Sequence, residues 1–274
     1  MQELAPDRQD SDPVLITRRG TVVIVTLNRP DRLNAISPGQ AEHARRVFAE
    51  LREDDTCRVV VLTGAGSSFC TGMDLSEGLG PSNARGDVQS RHLALTRSAE
   101  LFYSLRELEQ PVIAALHGHV VGAGLALAAM ADLRIADTSA RLSPVFTRRG
   151  FSGGDLGASW WLPRLVGFAN AAEMLYTAAP FDAQRAREIG LVSQVVPAGT
   201  HLDAAIALAE QITANAPFAV AQTKELLNAA FGIGELRQHM AAEIRAQVLC
   251  SLTEDAAEGV MAAVQRRTPN FTYR

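Results

Sequence analysis

Two short segments rich in small residues have the composition and spacing that could support chemistry. Residues 67–75 read SSFCTGMDL, and residues 117–124 read HGHVVGAG. Each follows a strongly apolar run, which predicts a tight turn at the end of a buried strand. Two such turns can direct two backbone N–H groups at one carbonyl oxygen, and these stabilise the negative charge that forms when a proton leaves the carbon beside a thioester. Small residues are needed because a bulky side chain would keep an acyl group away from the backbone.

The glycines of these segments have a simpler interpretation as well. Gly72, Gly122 and Gly124 could serve only to permit tight turns between strands and helices. The interpretation as an oxygen-binding site has further support, because a helix beginning at Gly124 would direct the positive end of its dipole at the carbonyl oxygen. The first segment lacks the Lys-Ser/Thr pair of a phosphate-binding loop and the glycine spacing of a dinucleotide site.

The elements that must position these turns alternate between strands and helices. Uniformly apolar, β-branched runs predict strands buried on both faces, and three- and four-residue apolar spacing predicts helices. This alternation favours an α/β core with mostly parallel strands. The predicted strands are residues 21–27, 58–64, 111–116 and 133–136, and the predicted helices are 38–52, 93–108 and 124–131.

The chain divides into three predicted parts. Residues 1–13 contain Asp and Glu and predict a short disordered tail, residues 14–200 the core, and residues 201–274 a helical region. Apolar positions on more than one side of the last helices are typical of packing on a partner subunit, although packing on the chain's own core fits the pattern equally. Residues 77–92 are rich in Gly, Ser, Asn and charge, and predict a mobile loop beside the site.

Composition excludes several classes of function. The 274 residues include 26 Lys and Arg against 30 Asp and Glu, a net charge of −4, without a basic cluster for nucleic acid. No apolar run approaches the ~20 residues of a membrane span. Three cysteines lack metal-ligand spacing and do not suit a disulfide framework, so we expect a reduced, cytoplasmic protein without a metal.

Six segments, in order along the chain, resemble the enoyl-CoA hydratase/isomerase (crotonase) family. The resemblance implies an α/β fold, a crotonase-like spiral of ββα units with a C-terminal helical trimerisation region, and a homotrimer or dimer of trimers. It implies an acyl-CoA substrate, with coenzyme A as part of the substrate and no separate cofactor. The segments are NRPDRLNAIS (28–37), GAGSSFCTGMDL (64–75), PVIAALHGHVVGAGLALAAMADLRIA (111–136), DLGASWWLPRLVG (155–167), AREIGLVSQVVP (186–197) and EGVMAAVQRRTPNF (258–271).

The resemblance also implies roles for individual residues. The N–H groups of Met73 and Ala123 would form the oxyanion hole for the thioester oxygen. The loop of residues 28–35 would hold the adenine and phosphates, and a C-terminal arginine would reach a phosphate. The implied acyl-CoA-binding residues are Arg29, Arg32, Ala35, Gly72, Asp74, Leu75, Ser76, Gly122 and Arg267.

The acids of the family's hydratases are missing. Those enzymes use two glutamates, one to activate water and one to protonate the substrate. The first position corresponds to Ala126, and the second to Val145 or Phe146, and none of these is acidic. Asp155 remains, at a position where some isomerases and a dehalogenase of the family carry a catalytic aspartate.

Asp155 has two interpretations. It follows two glycines and precedes an apolar run, as a helix N-cap does. Alternatively, apolar neighbours such as Phe151, Trp160 and Trp161 would raise its pKa into a range useful for moving protons. The resemblance favours the second interpretation, and one residue could have both roles.

Three functional hypotheses follow. The first is an enoyl-CoA isomerase in which Asp155 takes a proton from C2 and returns it to C4. The alternative is an enoyl-CoA hydratase of fatty acid metabolism, converting 2-enoyl-CoA to 3-hydroxyacyl-CoA, with water positioned by Asp155 alone or with His119. The third is a CoA-thioester binding protein with little catalysis.

Overall fold

The computed structural model describes residues 12–77, 88–232 and 236–272. Nine strands occur there: β1 (Val14–Arg19), β2 (Val22–Leu27), β3 (Val59–Gly64), β4 (Val112–Leu116), β5 (His119–Val121), β6 (Leu133–Asp137), β7 (Arg141–Ser143), β8 (Phe181–Asp182) and β9 (Gln194–Val196). The same residues contain ten α-helices: α1 (Pro38–Arg52), α2 (Val88–Arg106), α3 (Ala123–Met130), α4 (Ala158–Val166), α5 (Phe168–Thr177), α6 (Ala183–Glu188), α7 (His201–Thr213), α8 (Pro217–Ala229), α9 (Leu236–Ser251) and α10 (Glu254–Gln265).

The main sheet has six strands in the order β1-β2-β3-β4-β6-β9. Only the β1–β2 pair is antiparallel, and every other pair is parallel. Every residue of β3 and β4 is buried, because helices cover both faces of the sheet. The predicted α/β core with mostly parallel pairing is confirmed.

Alternate residues of the strands pack into two separate apolar clusters. On one face, Val60 and Leu62 pack with residues of α1, α2 and α3, including Phe48 and Phe102. On the other face, Val61 and its neighbours pack against Ala205, Ile206 and Ala209 of α7. The first helix after residue 200 therefore covers the sheet itself, while α8, α9 and α10 follow it.

A second, three-stranded sheet has the order β5-β7-β8. The chain turns out of β4 into β5 at Gly118, whose φ is +51°, and a methyl group there would lie 1.9 Å from the carbonyl oxygen of Ser67. Only glycine fits this turn. These strands were not predicted, because runs of two or three residues are too short to show a period of two.

Two boundaries differ from the predicted ones. The helix predicted over residues 93–108 spans Val88–Arg106, so residues 88–92 of the predicted mobile loop are helical. Most of the rest of that loop, and residues 1–11 of the predicted N-terminal tail, lie outside the described residues. Helix α3 begins at Ala123, one residue earlier than predicted. No helix of the described segments has the length and apolarity to cross a membrane.

Candidate active site

The two glycine turns lie side by side. Cys70 forms a parallel bridge to Val120, in which the N–H of Cys70 donates to the carbonyl of His119 over 3.0 Å and the N–H of Val121 donates to Cys70 over 2.9 Å. On the other side of the first turn, Ile36 bridges Met73. The turn at residues 70–74 is therefore held between β5 and the loop before α1.

Glycine is required where the turns approach most closely. Gly72 has a φ of +96°, and a methyl group there would lie 3.0 Å from the carbonyl oxygen of Val121 and 3.3 Å from the nitrogen of Ala123. At Gly124, a methyl group would lie 2.3 Å from the carbonyl oxygen of Cys70. The glycines thus bring the peptide groups of Met73 and Ala123 to one place.

The N–H groups of Met73 and Ala123 meet no hydrogen-bond acceptor within the described part of the chain. Ala123 is the first residue of α3, so its N–H has no partner inside the helix and lies at the positive end of the helix dipole. The N–H of Gly122, by contrast, donates to Ser143 over 2.9 Å. Two adjacent free donors can bind one oxygen atom that carries negative charge.

A cavity of about 310 Å³ opens at these donors. Most of its wall is apolar, and within the described residues it includes one carboxylate, that of Asp155, and one cation, Arg149. The other lining residues are Thr71, Gly72, Met73, Leu75, Leu95, Gly122, Ala123, Val145, Phe146, Phe151, Ser152, Gly154 and Leu156. An acyl group bound here would lie between the two N–H donors and one acid.

Asp155 is not a helix cap. Helix α4 begins at Ala158, its N-cap is Gly157, and no side chain caps it. Leu156 has a φ of 48° and Gly157 a φ of 80°, and these left-handed residues separate the carboxylate from the helix. The carboxylate accepts instead from the N–H of Leu156 over 2.9 Å. Partial burial raises the pKa of Asp155, and this hydrogen bond only partly opposes that rise.

The positions of the two missing glutamates hold apolar residues in the structure. Ala126 is buried within α3, and Val145 and Phe146 form part of the cavity wall. His119, considered as a partner for Asp155, is exposed at the start of β5 and does not line the cavity. Asp155 therefore stands without a second acid or a histidine among the described lining residues.

The predicted CoA-binding loop packs directly on the first turn, and Asp74 of that turn lies at the contact. Asp74 accepts from the hydroxyl of Ser76 over 2.6 Å and from Arg32 over 3.4 Å, and it lies 3.2 Å from Arg29. The Ser76 hydrogen bond and the Arg32 charge lower the pKa of this buried carboxyl to about 2. Arg29 also donates to the carbonyl of Ala35 over 2.6 Å.

The three predicted arginines do not line the cavity. Arg32 is half-exposed, whereas Arg29 is largely enclosed by Asp74 and Glu77. Arg267, just after α10, forms an ion pair with Glu258 and does not line the cavity. The structure thus gathers Gly72, Met73, Leu75, Gly122, Ala123 and Asp155 around one cavity, with Arg29, Arg32 and Ala35 in the adjoining CoA-binding loop and Asp74 and Ser76 in contact with that loop.

Asn34 is a positioning residue that the sequence analysis did not single out. It is fully buried with a φ of 56°, and its side-chain amide accepts from the N–H of Arg29 and donates to the carbonyls of Ala65 and Ser68. It therefore ties the CoA-binding loop to the first turn. An Asn preceding a small residue in a polar loop is a weak signal of such a role.

This chain is similar to known proteins of one family over most of its length. Residues 17–274 match the family model described as "Enoyl-CoA hydratase/isomerase". A probable enoyl-CoA hydratase of Mycobacterium tuberculosis H37Rv is 36% identical over 93% of this chain and 90% of its own. The 1,2-epoxyphenylacetyl-CoA isomerase of Escherichia coli K12 is 34% identical over 92% of this chain and 95% of its own. The crystal structure of an enoyl-CoA hydratase from Bacillus anthracis matches with a TM-score of 0.90 and 33% identity, covering 96% of this chain and 100% of that one.

Proposed function

This chain belongs to the enoyl-CoA hydratase/isomerase family, and we propose that within the family it is an acyl-CoA double-bond isomerase with Asp155 as its proton carrier. The observation on which the proposal rests is the composition of the cavity wall. Asp155 is the one carboxylate that lines it among the described residues, and it faces the same space as the N–H groups of Met73 and Ala123. A double-bond shift needs one group that both removes and returns a proton.

The proposed reaction converts 3-enoyl-CoA to 2-enoyl-CoA. The thioester oxygen accepts hydrogen bonds from the N–H groups of Met73 and Ala123. Asp155 removes a proton from C2, and the electron pair moves into the thioester to form a dienolate whose negative charge lies on that oxygen. The protonated Asp155 then delivers the proton to C4 as the double bond shifts to C2–C3. Protons and electrons balance without another reactant.

The raised pKa of Asp155 supports this role. A carboxylate that removes a weakly acidic proton works better when its own pKa rises towards the working pH. Burial produces such a shift here without a neighbouring carboxylate. Losing one of two N–H donors of this kind typically costs ~10²–10³ in rate, so the backbone turns would supply a large part of the acceleration.

In the proposed complex, the loop beside the first turn holds the coenzyme A moiety. Arg32 is the exposed cation there and can reach a phosphate, while Arg29 and Asp74 keep Ala35, Leu75 and Ser76 in position. Gly72 and Gly122 leave room for the thioester. Arg267 meets the substrate in this proposal only in an assembled oligomer, because its own ion pair lies away from the cavity.

A hydratase is the second candidate, and the hydratases among the relatives favour it. Water addition would require Asp155 alone to activate water and protonate the substrate, since Ala126, Val145 and Phe146 offer no acid. We therefore expect hydration to be slow. A binding protein with little catalysis is the third candidate.

The experiment compares 3-hexenoyl-CoA with 2-hexenoyl-CoA as substrates. We expect the wild type to form 2-enoyl-CoA from the first, detected by the absorbance of the conjugated thioester, and to add water to the second far more slowly. Asp155→Asn should lower isomerisation by at least about 10²-fold. Asp203→Asn, which removes an exposed carboxylate in the first turn of α7, is the matched control and should leave the rate unchanged.

Two results would overturn this assignment. Efficient hydration of 2-hexenoyl-CoA with an unaltered rate in Asp155→Asn would show that another group moves the proton. Tight binding of both thioesters without turnover of either would support the binding-protein hypothesis. Exchange of the C2 hydrogens for solvent deuterium, followed by NMR, separates proton removal from the complete isomerisation.

A further inference from the structure

The cavity next to the free N–H groups contains a cation that the proposed reaction does not use. Arg149 lies at the end of a 3-10 turn, Thr147–Arg149, between β7 and α4. Its backbone N–H donates to Phe146 over 3.0 Å, and the hydroxyl of Thr147 donates to the carbonyl of Leu175 over 3.0 Å. The turn that carries Arg149 is therefore fixed to the body of the protein.

The guanidinium of Arg149 has no partner. Within the described part of the chain it forms no hydrogen bond and no ion pair, although it lines the same cavity as Asp155. Asp155 does not pair with it, because only burial and the N–H of Leu156 determine the pKa of that carboxyl. Arg149 is exposed, so its guanidinium is hydrated in the free protein and is available to a ligand that carries negative charge.

Arg149 belongs to the acyl end of the site. The arginines of the proposed CoA loop, Arg29 and Arg32, do not line this cavity, and both already contact Asp74. Arg149 instead shares the wall with Phe151 and Leu156, which offer only carbon to a ligand. The CoA loop and Arg149 would therefore contact different parts of the substrate. The loop would contact the phosphates of coenzyme A, and Arg149 would contact the acyl group.

Building on the proposed function, we infer that Arg149 determines specificity by binding a second carboxylate on the acyl group of the CoA thioester. Arginine presents two parallel N–H donors to a carboxylate, and a pair of this kind is among the stronger interactions between side chain and ligand. The apolar residues around it suit the methylene groups between the thioester and that carboxylate. The cavity of about 310 Å³ is at the lower end of the usual range for ligand sites, which favours a short acyl chain.

The charge of Asp155 makes Arg149 necessary for such a substrate. A carboxylate in this cavity without a cation would be repelled by ionised Asp155 and would lose its hydration to an apolar wall. With Arg149 present, the substrate carboxylate is neutralised and remains apart from the reacting carbons. A substrate that ends in a methyl group gains nothing from the arginine.

Binding of unreactive thioesters tests the inference without catalysis. Adipoyl-CoA and hexanoyl-CoA have the same chain length and differ only in a terminal carboxylate, and coenzyme A alone reports on the rest of the ligand. By titration calorimetry we expect the wild type to bind adipoyl-CoA about tenfold more tightly than hexanoyl-CoA. Arg149→Gln should remove this preference and leave binding of hexanoyl-CoA and coenzyme A unchanged.

The neighbouring arginine is a matched control. Arg148 is also exposed on the 3-10 turn, and it does not line the cavity. Arg148→Gln should leave all three affinities unchanged, so a general effect of losing positive charge is separated from a local contact. Equal weakening of all three ligands by Arg149→Gln would assign the arginine to coenzyme A and overturn the inference, as would a wild type without preference for adipoyl-CoA.

Turnover distinguishes this inference from the proposed isomerase function. The wild type should isomerise 3-hexenedioyl-CoA with a higher kcat/KM than 3-hexenoyl-CoA, and Arg149→Gln should raise KM for the first alone. If both react equally in both proteins, the role of Arg149 is wrong and the isomerase stands. If neither reacts while adipoyl-CoA is still preferred in binding, the isomerase is wrong and the role of Arg149 stands.

Discussion

Asp155 should impose a pH dependence on the proposed reaction. The base must be ionised to accept a proton, and burial raises its pKa above the ordinary carboxyl value. We therefore expect kcat/KM for isomerisation to fall as the pH decreases, and to begin falling at a higher pH than an exposed aspartate would cause. Measurement between about pH 4 and pH 8 should show this acid limb in the wild type. A residual activity of Asp155→Asn that keeps the same limb would contradict the assignment.

The same pKa shift predicts a gain in stability when the charge is removed. Because the folded-state pKa of Asp155 lies above its unfolded value of 3.8, the ionised form destabilises the folded protein. This loss of stability is absent below the unfolded-state pKa of 3.8, and it develops as the pH rises through the folded-state pKa of Asp155. Asp155→Asn should therefore raise Tm slightly at pH 7 and have no effect below about pH 4. A lower Tm at pH 7 would show that the carboxylate contributes to folding.

Asp74 should behave in the opposite way. Its pKa of about 2 lies below the ordinary value of 3.8, so its ionised form stabilises the folded state at neutral pH, and this contribution is lost as the pH falls towards 2. Asp74→Asn should reduce the free energy of unfolding on the order of 1–2 kcal/mol at pH 7, with a smaller loss at pH 3. Urea denaturation measures both. Asp31→Asn, on the exposed 3-10 turn nearby, should have no comparable effect.

At the scale of elements, alanine variants of Gly72 and Gly20 distinguish the cost of backbone strain from the effect of a change in site geometry. Gly72 and Gly20 both have positive φ, but a methyl group at Gly20 has nothing within 4 Å, whereas at Gly72 it meets Val121 and the nitrogen of Ala123. Each alanine variant should lose about 1–2 kcal/mol of stability from its backbone conformation. Gly72→Ala alone should also lose about 10²–10³-fold in kcat/KM, because the methyl group moves the two N–H donors apart. Equal activity of the two variants would show that the donors are not used.

The elements that could be predicted from sequence are those with long patterns. Every residue of β3 and β4 is buried, and all of them except Thr63 are apolar or glycine, while α1 has buried residues at three- and four-residue steps. The short strands β5, β7 and β8 have no period to detect, and the turn at Gly118 leads the chain from the main sheet into β5. Their pairing depends on contacts distant in sequence.

The residues of the site also divide into those that a sequence motif predicts and those whose position depends on the folded structure. Met73 and Ala123 were predicted because the family motif fixes the glycines around them, and both line one cavity in the structure. The cap interpretation of Asp155 was wrong, because the left-handed residues Leu156 and Gly157 delay the start of α4, a conformation that no local pattern indicates. Arg149 lines the cavity from a 3-10 turn that Thr147 anchors to the carbonyl of Leu175, a contact between residues far apart in sequence.

At the scale of the whole molecule, the C-terminal helices leave large apolar side chains in solvent. Val260 and Val264 of α10 are 65% and 74% exposed, and Leu252 is 79% exposed. Exposed apolar residues in such number mark an interaction surface. We expect them to pack in the homotrimer that the family resemblance implies, and Val264→Asp to shift the protein towards monomer.

Light scattering coupled to size-exclusion chromatography measures this shift, with circular dichroism as a check on folding. A wild type that is monomeric at micromolar concentration would contradict the assembly. If the trimer forms and also brings Arg267 of one subunit to the coenzyme A phosphates of a substrate bound to another, Val264→Asp should raise KM for the CoA substrate together with the loss of assembly.

The two parts of the proposed site differ in how they respond to mutation. The oxygen-binding groups are main-chain atoms of Met73 and Ala123, so either side chain can be replaced by a small one without removing the donor, whereas proline would remove it. The proton-moving group is one carboxylate on one side chain. Substitutions that keep the glycines of the two turns should therefore leave thioester activation intact, while single substitutions at position 155, or at the cavity wall around Val145, redirect the reaction. A protein of this kind can acquire a new reaction through single substitutions in the cavity, because the backbone that binds the thioester oxygen stays unchanged.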